Sequence, residues 1–273
     1  MIPIPYIIGL SLINKKFNEL KNKAKLALMP FLMAGDPNLE ITGKILLSLQ
    51  ENGADLIELG IPYSDPLADG PIIQLAASRA LSSGTSPTKV FDLLDKIKDK
   101  LKIPVILFTY FNPVLSYGFR NFCEVASKVG VAGLIIPDLP LEEATAFSEI
   151  AHSYQLDLIL LVAPTTPNSR MEIISNKTKG FTYLVSVTGV TGERSTIENR
   201  VEVLIEKLKE ISKTPVAVGF GISSPAHVEK VKRWGADGVI IGSAFVKRVY
   251  ESDIKNVVTE VGKFCADMRQ AAG

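Results

Sequence analysis

The sequence predicts a (β/α)8 TIM barrel with an extra N-terminal helix and extra helices after strands 2 and 8. Three observations point there. The chain has 273 residues, close to the roughly 250 of a typical barrel of this kind. Eight short apolar runs alternate with amphipathic stretches along it. No Ser/Gly linker, charge block or low-complexity tract divides it, so a single barrel domain is expected over residues 1–273. An open doubly wound sheet would announce a glycine-rich turn after its first strand, and Ala34-Gly35-Asp36-Pro37 is not the G-x-G-x-x-G pattern.

In chain order, Met1 to Leu10 is apolar but has no basic leader, no cleavage signature and too few residues to span a bilayer, so it is expected to be a short extension. Residues 13–26 carry Phe17, Leu20 and Ala24 among lysines and asparagines, the pattern of an amphipathic helix placed to plug the bottom of the barrel. Residues 27–33 are almost continuously apolar and close on Gly35-Asp36-Pro37, as for a parallel strand buried on both sides. Further strands are expected over 55–60, 104–110, 132–137, 157–163, 181–186, 215–220 and 237–241. Helices are expected over 39–52, 72–82, 87–101, 119–129, 141–154, 168–177, 197–211, 225–234 and 254–269, with a short one opening at Ser243.

With 30 basic and 29 acidic residues and no polybasic run, a nucleic-acid groove or an anionic membrane surface is disfavoured and a small-molecule partner is expected. Cys123, Cys265, His152 and His227 form neither a disulfide framework nor a zinc set. No metal is expected. Cys123 is expected on the core side of a helix and the histidines on helix surfaces.

The chemistry concentrates after strand 2. Ile57 and Leu59 point one way and Leu56, Glu58 and Gly60 the other, which puts a carboxylate on a buried face. An acid there needs a partner, a donor or a raised pKa, each common at catalytic positions. The loop beyond Gly60 holds Asp65 and Asp69 before Pro71 starts a helix; each alone is equally an ordinary turn acid. Strand 7 ends in Gly219-Phe-Gly221 and strand 8 in Gly242-Ser243. Glycine turns there match the recurring phosphate position of such barrels, where backbone N–H groups and a helix N-terminus receive an oxyanion.

The run LIELGIPYSDPLADGP over 56–71, with YLVSVTGVTG over 183–192, VGFGIS over 218–223 and IIGSA over 240–244, resembles the tryptophan synthase alpha subunit family, across about 24–266. The resemblance implies retro-aldol cleavage of indole-3-glycerol phosphate to indole and glyceraldehyde 3-phosphate, with no cofactor in this chain. It implies that Glu58 is the general acid/base and that Asp69 holds the indole nitrogen. It further implies an indole slot of Phe31, Phe108 and Ile135, Tyr183 beside the glycerol chain, phosphate contacts at Gly192, Gly221, Gly242 and Ser243, and Thr191 meeting Asp69 on closure. A pyridoxal-phosphate beta subunit would join through Pro62, Asp65, Asn112, Pro113 and Pro140 in an αββα assembly that passes indole through a tunnel.

One departure is Val187, where many bacterial members carry arginine. Residues 187–197 are expected to form a lid, and the setting is expected to be the cytoplasm or a plastid stroma. Two other readings fit parts of the sequence: another phosphate-binding barrel enzyme, which would share the glycine turns but not Glu58 with Asp69, and a non-catalytic activator of a beta partner.

Overall fold

The computed structural model describes residues 10–185, 194–219 and 221–273, the side chains of 194–200 excepted. Strands β1 (Ala27–Met33), β2 (Ile57–Gly60), β3 (Val105–Phe108), β4 (Val131–Ile135), β5 (Asp157–Val162), β6 (Thr182–Val185), β7 (Val216–Gly219) and β8 (Gly238–Ile241) form one closed parallel barrel in chain order. It closes where β1 pairs β8, with Ala27 opposite Gly238. The (β/α)8 expectation is met.

Around it lie α1 (Leu12–Asn22), α2 (Leu39–Glu51), α3 (Pro71–Ser82), α4 (Pro87–Ile97), α5 (Phe111–Tyr117), α6 (Phe119–Lys128), α7 (Ala144–Ser153), α8 (Asn168–Lys177), α9 (Arg194–Ile211), α10 (Pro225–Arg233), α11 (Ser243–Glu251) and α12 (Val257–Ala272). Starts follow local chemistry. Asn38 caps α2 by accepting the Ile41 N–H at 2.9 Å, and Pro71, Pro87 and Pro225 open α3, α4 and α10, where no N–H is needed. The extra helices after β2 and β8 are present as α3 and α11.

Helix α5 departs from expectation. Asn112-Pro113 has the composition of a turn, yet proline is tolerated in a first helical turn because its missing N–H would find no intrahelical acceptor. Gly118, at φ +83, ends that helix. Strand β2 starts at Ile57 rather than 55 because Asp55 turns away, its carboxylate accepting the Leu28 N–H at 2.9 Å and pairing with Arg269 of α12.

Strand alternation sorts the side chains into two clusters. Ile57, Leu59, Leu107 and Leu134 face the helices, while Met29, Phe31, Leu56, Ile106, Phe108, Ile135 and Tyr183 fill the lumen. Helix α1 closes the lumen's lower end with Ile13, Phe17 and Leu20. Glycine makes this close approach possible: a Cβ on Gly133 would sit 2.9 Å from the Ile13 tip, and one on Gly180 3.1 Å from the same side chain. Phe17 meets Phe181 at 5.7 Å between ring centroids. Cys123 is fully buried on α6 and His152 lies on the α7 surface, as expected, while His227 is half-buried.

Phe17 is 3 % exposed, so Phe17→Ala should open a cavity that costs about 3–5 kcal/mol. The midpoint of urea unfolding followed by circular dichroism should fall accordingly, and an unchanged midpoint would show that α1 is not part of the barrel's core.

Candidate active site

The C-terminal ends of the strands bring the sequence-selected residues together at one mouth. Glu58 stands opposite Phe31 of β1 and Ile106 of β3 in the parallel register, and is 3 % exposed. Among the described residues nothing hydrogen-bonds its carboxylate. Burial, and then the charge of Asp69, push its pKa up to about 8. An acid so placed is mostly protonated at neutral pH.

Asp69 hangs over it from the loop after β2 and is half-buried. The loop is held at several points: the Asp69 N–H donates to Pro66 at 3.0 Å, and the Gln74 amide of α3 donates to the Asp69 backbone carbonyl at 2.8 Å. Burial raises the Asp69 pKa to about 6, while a hydrogen bond from Tyr110 acts in the opposite direction. The two carboxyls therefore divide: at pH 7 one is mainly neutral and the other mainly charged.

Tyr110 was not selected from the sequence. It is 3 % exposed, its ring lies 6.2 Å from that of Phe108, and its hydroxyl accepts the Ala68 N–H at 3.1 Å, which leaves its proton for Asp69. The signal was there: Tyr110 shares the inward phase of Phe108 two residues earlier, and a buried tyrosine hydroxyl needs a partner.

Phe31, Phe108 and Ile135 come together in the lumen. Phe31 and Phe108 meet edge-to-face at 5.8 Å, and Ile135 is fully buried beside them. Gly60 allows this, since a Cβ there would lie 2.8 Å from the Phe31 ring. Tyr183 leans over β7, where a Cβ on Gly219 would lie 2.5 Å from its hydroxyl. Burial first, then Glu58 and Asp69, hold that hydroxyl well above its usual pKa, so it remains a donor.

Beside Phe31, Gly242 precedes α11, whose first turn has no side-chain cap. Gly221 takes φ +39. Gly242 and Ser243 leave backbone N–H groups at the positive end of the α11 dipole, an arrangement suited to a phosphate. Thr191, Gly192 and Val187, with most of the expected lid, lie outside the described residues. Of the expected partner contacts, Asp65, Asn112 and Pro140 are exposed and Pro113 is half-buried. Pro62 is instead buried in this chain. Leu67, 90 % exposed, and Leu115, 49 %, add apolar surface at the same loops, which the sequence did not single out.

A family model described as "Tryptophan synthase alpha chain" matches residues 17–273. The chain is 75 % identical over 263 residues to a tryptophan synthase alpha chain of Prochlorococcus marinus subsp. pastoris, covering 96 % of this chain and 94 % of that one. It is 59 % identical over 257 residues to one of a Synechococcus species, covering 94 % and 96 %. Among solved structures it is similar to tryptophan synthase subunit alpha from Legionella pneumophila, with TM-score 0.89, 35 % identity and coverage of 97 % and 99 %. A chain of Mycobacterium tuberculosis tryptophan synthase gives TM-score 0.87, 32 % identity, and coverage of 97 % and 99 %.

A carboxyl whose folded pKa is raised from 4.5 to about 8 binds a proton more tightly folded than unfolded, so it makes stability fall as pH rises across that window. Glu58→Gln removes this dependence. Its melting temperature should exceed the parent's at pH 8.5, with the gap closing towards pH 4.5. A gap that does not change with pH would contradict a raised Glu58 pKa.

Proposed function

This chain belongs to the tryptophan synthase alpha chain family and is an enzyme of tryptophan biosynthesis, and we propose that it cleaves indole-3-glycerol phosphate by a retro-aldol step. The observation that carries this is Glu58, buried on β2 and close enough to Asp69 for that charge to raise its pKa, in a lumen lined by Phe31, Phe108 and Ile135. Cleavage needs a proton on the indole carbon that bears the glycerol chain, loss of a proton from the neighbouring glycerol hydroxyl, and a negative group near the ring N–H as positive charge develops.

Glu58, protonated at rest, delivers its proton to the ring carbon. Its carboxylate then accepts the hydroxyl proton as the carbon–carbon bond breaks, releasing indole and glyceraldehyde 3-phosphate. Asp69 accepts a hydrogen bond from the ring N–H throughout. Its charge also favours the protonated state of Glu58, so one acid prepares the other. Phe31, Phe108 and Ile135 exclude water from the ring, Tyr183 orients the glycerol hydroxyls, and Gly221, Gly242 and Ser243 hold the phosphate, with Gly192 and Thr191 given phosphate and Asp69 contacts by the family resemblance alone.

These steps need no metal or organic cofactor in this chain, and the whole chain works as one barrel. Indole would pass to a pyridoxal-phosphate beta subunit in an αββα assembly. The contacts would be Asp65, Asn112, Pro113 and Pro140, joined by the exposed Leu67 and Leu115. With bacterial relatives, and no helix among the described residues long and apolar enough to cross a membrane, a cytoplasmic setting fits.

Glu58→Gln and Asp69→Asn should each lower kcat about 10²–10⁴-fold, the usual worth of a positioned acid or base, with the circular-dichroism spectrum retained. Release of indole from indole-3-glycerol phosphate is the readout. Undiminished turnover in Glu58→Gln would end the proposal. For the parent, kcat/KM should fall below about pH 6 as Asp69 is protonated and above about pH 8 as Glu58 ionises. A profile flat across both limbs would contradict the assignment of the pair.

A further inference from the structure

Asp69 sits on a loop, yet a reacting group displaced by about 1 Å can cost on the order of 10²-fold in rate. Something must hold it, and the hydrogen bonds trace what does. The Tyr63 ring, on the same loop, packs on the Tyr110 ring at 5.4 Å with 34° between their planes. The Asn112 amide, at the start of α5, donates to the Tyr63 hydroxyl at 3.1 Å. Next to it the Phe111 N–H donates to the Asp138 carboxylate at 2.8 Å. The loops after β2, β3 and β4 are thereby tied in a row that ends at the Tyr110 hydroxyl, held by the Ala68 N–H.

We infer that Tyr63 is a positioning residue for Asp69: its ring clamps Tyr110 in place, and its hydroxyl fastens the loop after β2 to α5 through Asn112. The inference rests on the role given to Asp69 in the preceding subsection. Tyr63 acts through these two contacts, the ring on Tyr110 and the tether to Asn112.

The groups facing Asp69 are Glu58 from β2, Tyr110 just after β3 and Tyr183 from β6, and Asp138 acts on Tyr110 from the loop after β4. Of these only Tyr110 favours the charged form of Asp69. Letting Tyr110 drift therefore raises the pKa of Asp69 and moves the acid limb of activity to higher pH.

The test is kcat/KM of the full chain against indole-3-glycerol phosphate from pH 5 to 9. Tyr63→Leu should lower it about tenfold and shift the acid limb up by about half a unit or more, with glycerol 3-phosphate binding unchanged. Tyr63→Phe and Asn112→Ala, which keep the ring, should each cost about threefold, the worth of one partly exposed hydrogen bond. Because both cut the same bond, the double variant should be no worse than either single one. A parental acid limb in Tyr63→Leu, a loss of the same size at every pH, or Tyr63→Phe and Asn112→Ala losses that multiply would each overturn the inference. Asp69→Asn serves as the reference: if it is inactive while Tyr63→Leu is parental, only the inference fails, whereas parental activity in Asp69→Asn removes the role of Asp69 itself.

Discussion

A carboxylic acid facing inward from β2, in a lumen that offers it no hydrogen bond among the described residues, is the constraint the rest of the site answers to. An unpaired carboxylate there would cost several kcal/mol, so Glu58 keeps its proton instead, with a pKa near 8. That single preference turns a buried liability into an acid usable at neutral pH. The strand supplies what a loop cannot: pairing with β1 and β3 fixes where that carboxyl sits.

The second acid obeys a different rule. Asp69 is half-buried and receives a hydrogen bond from Tyr110, so it ionises about two pH units earlier than Glu58. The pair is coupled, because the charge on Asp69 is the second cause of the Glu58 shift. Around them, missing side chains matter as much as present ones. Gly60 and Gly219 let the Phe31 and Tyr183 rings lie against the strands, and Gly242, beside Phe31, opens α11 without a cap.

How much of this was legible in the sequence depended on periodicity. The two-residue alternation of a buried strand was sufficient to put Glu58 on a buried face, the family resemblance singled out Phe31, Phe108, Ile135 and Tyr183, and the alternation of apolar runs with amphipathic helices was sufficient for the barrel. Where periodicity stops, so did foresight. Tyr110 shares the inward phase of the expected 104–110 strand, but its partners, a loop N–H and Asp69, are announced by no pattern. Helix α5 was hidden because Asn112-Pro113 suits a turn and a first helical turn equally well. Pro62 belongs to a stiff loop, but stiffness does not say which way a ring faces, and here it faces in. Leu67 and Leu115 are apolar residues left in solvent, which only the three-dimensional arrangement distinguishes from core.

The most direct test is the protonation state of Glu58 itself, followed by 13C NMR of the labelled side-chain carboxyl across a pH titration, in the parent and in Asp69→Asn. An apparent pKa near 8 in the parent, falling when the Asp69 charge is removed, is the predicted result. A carboxyl that titrates at its ordinary value near 4.5, indifferent to position 69, would contradict the whole scheme.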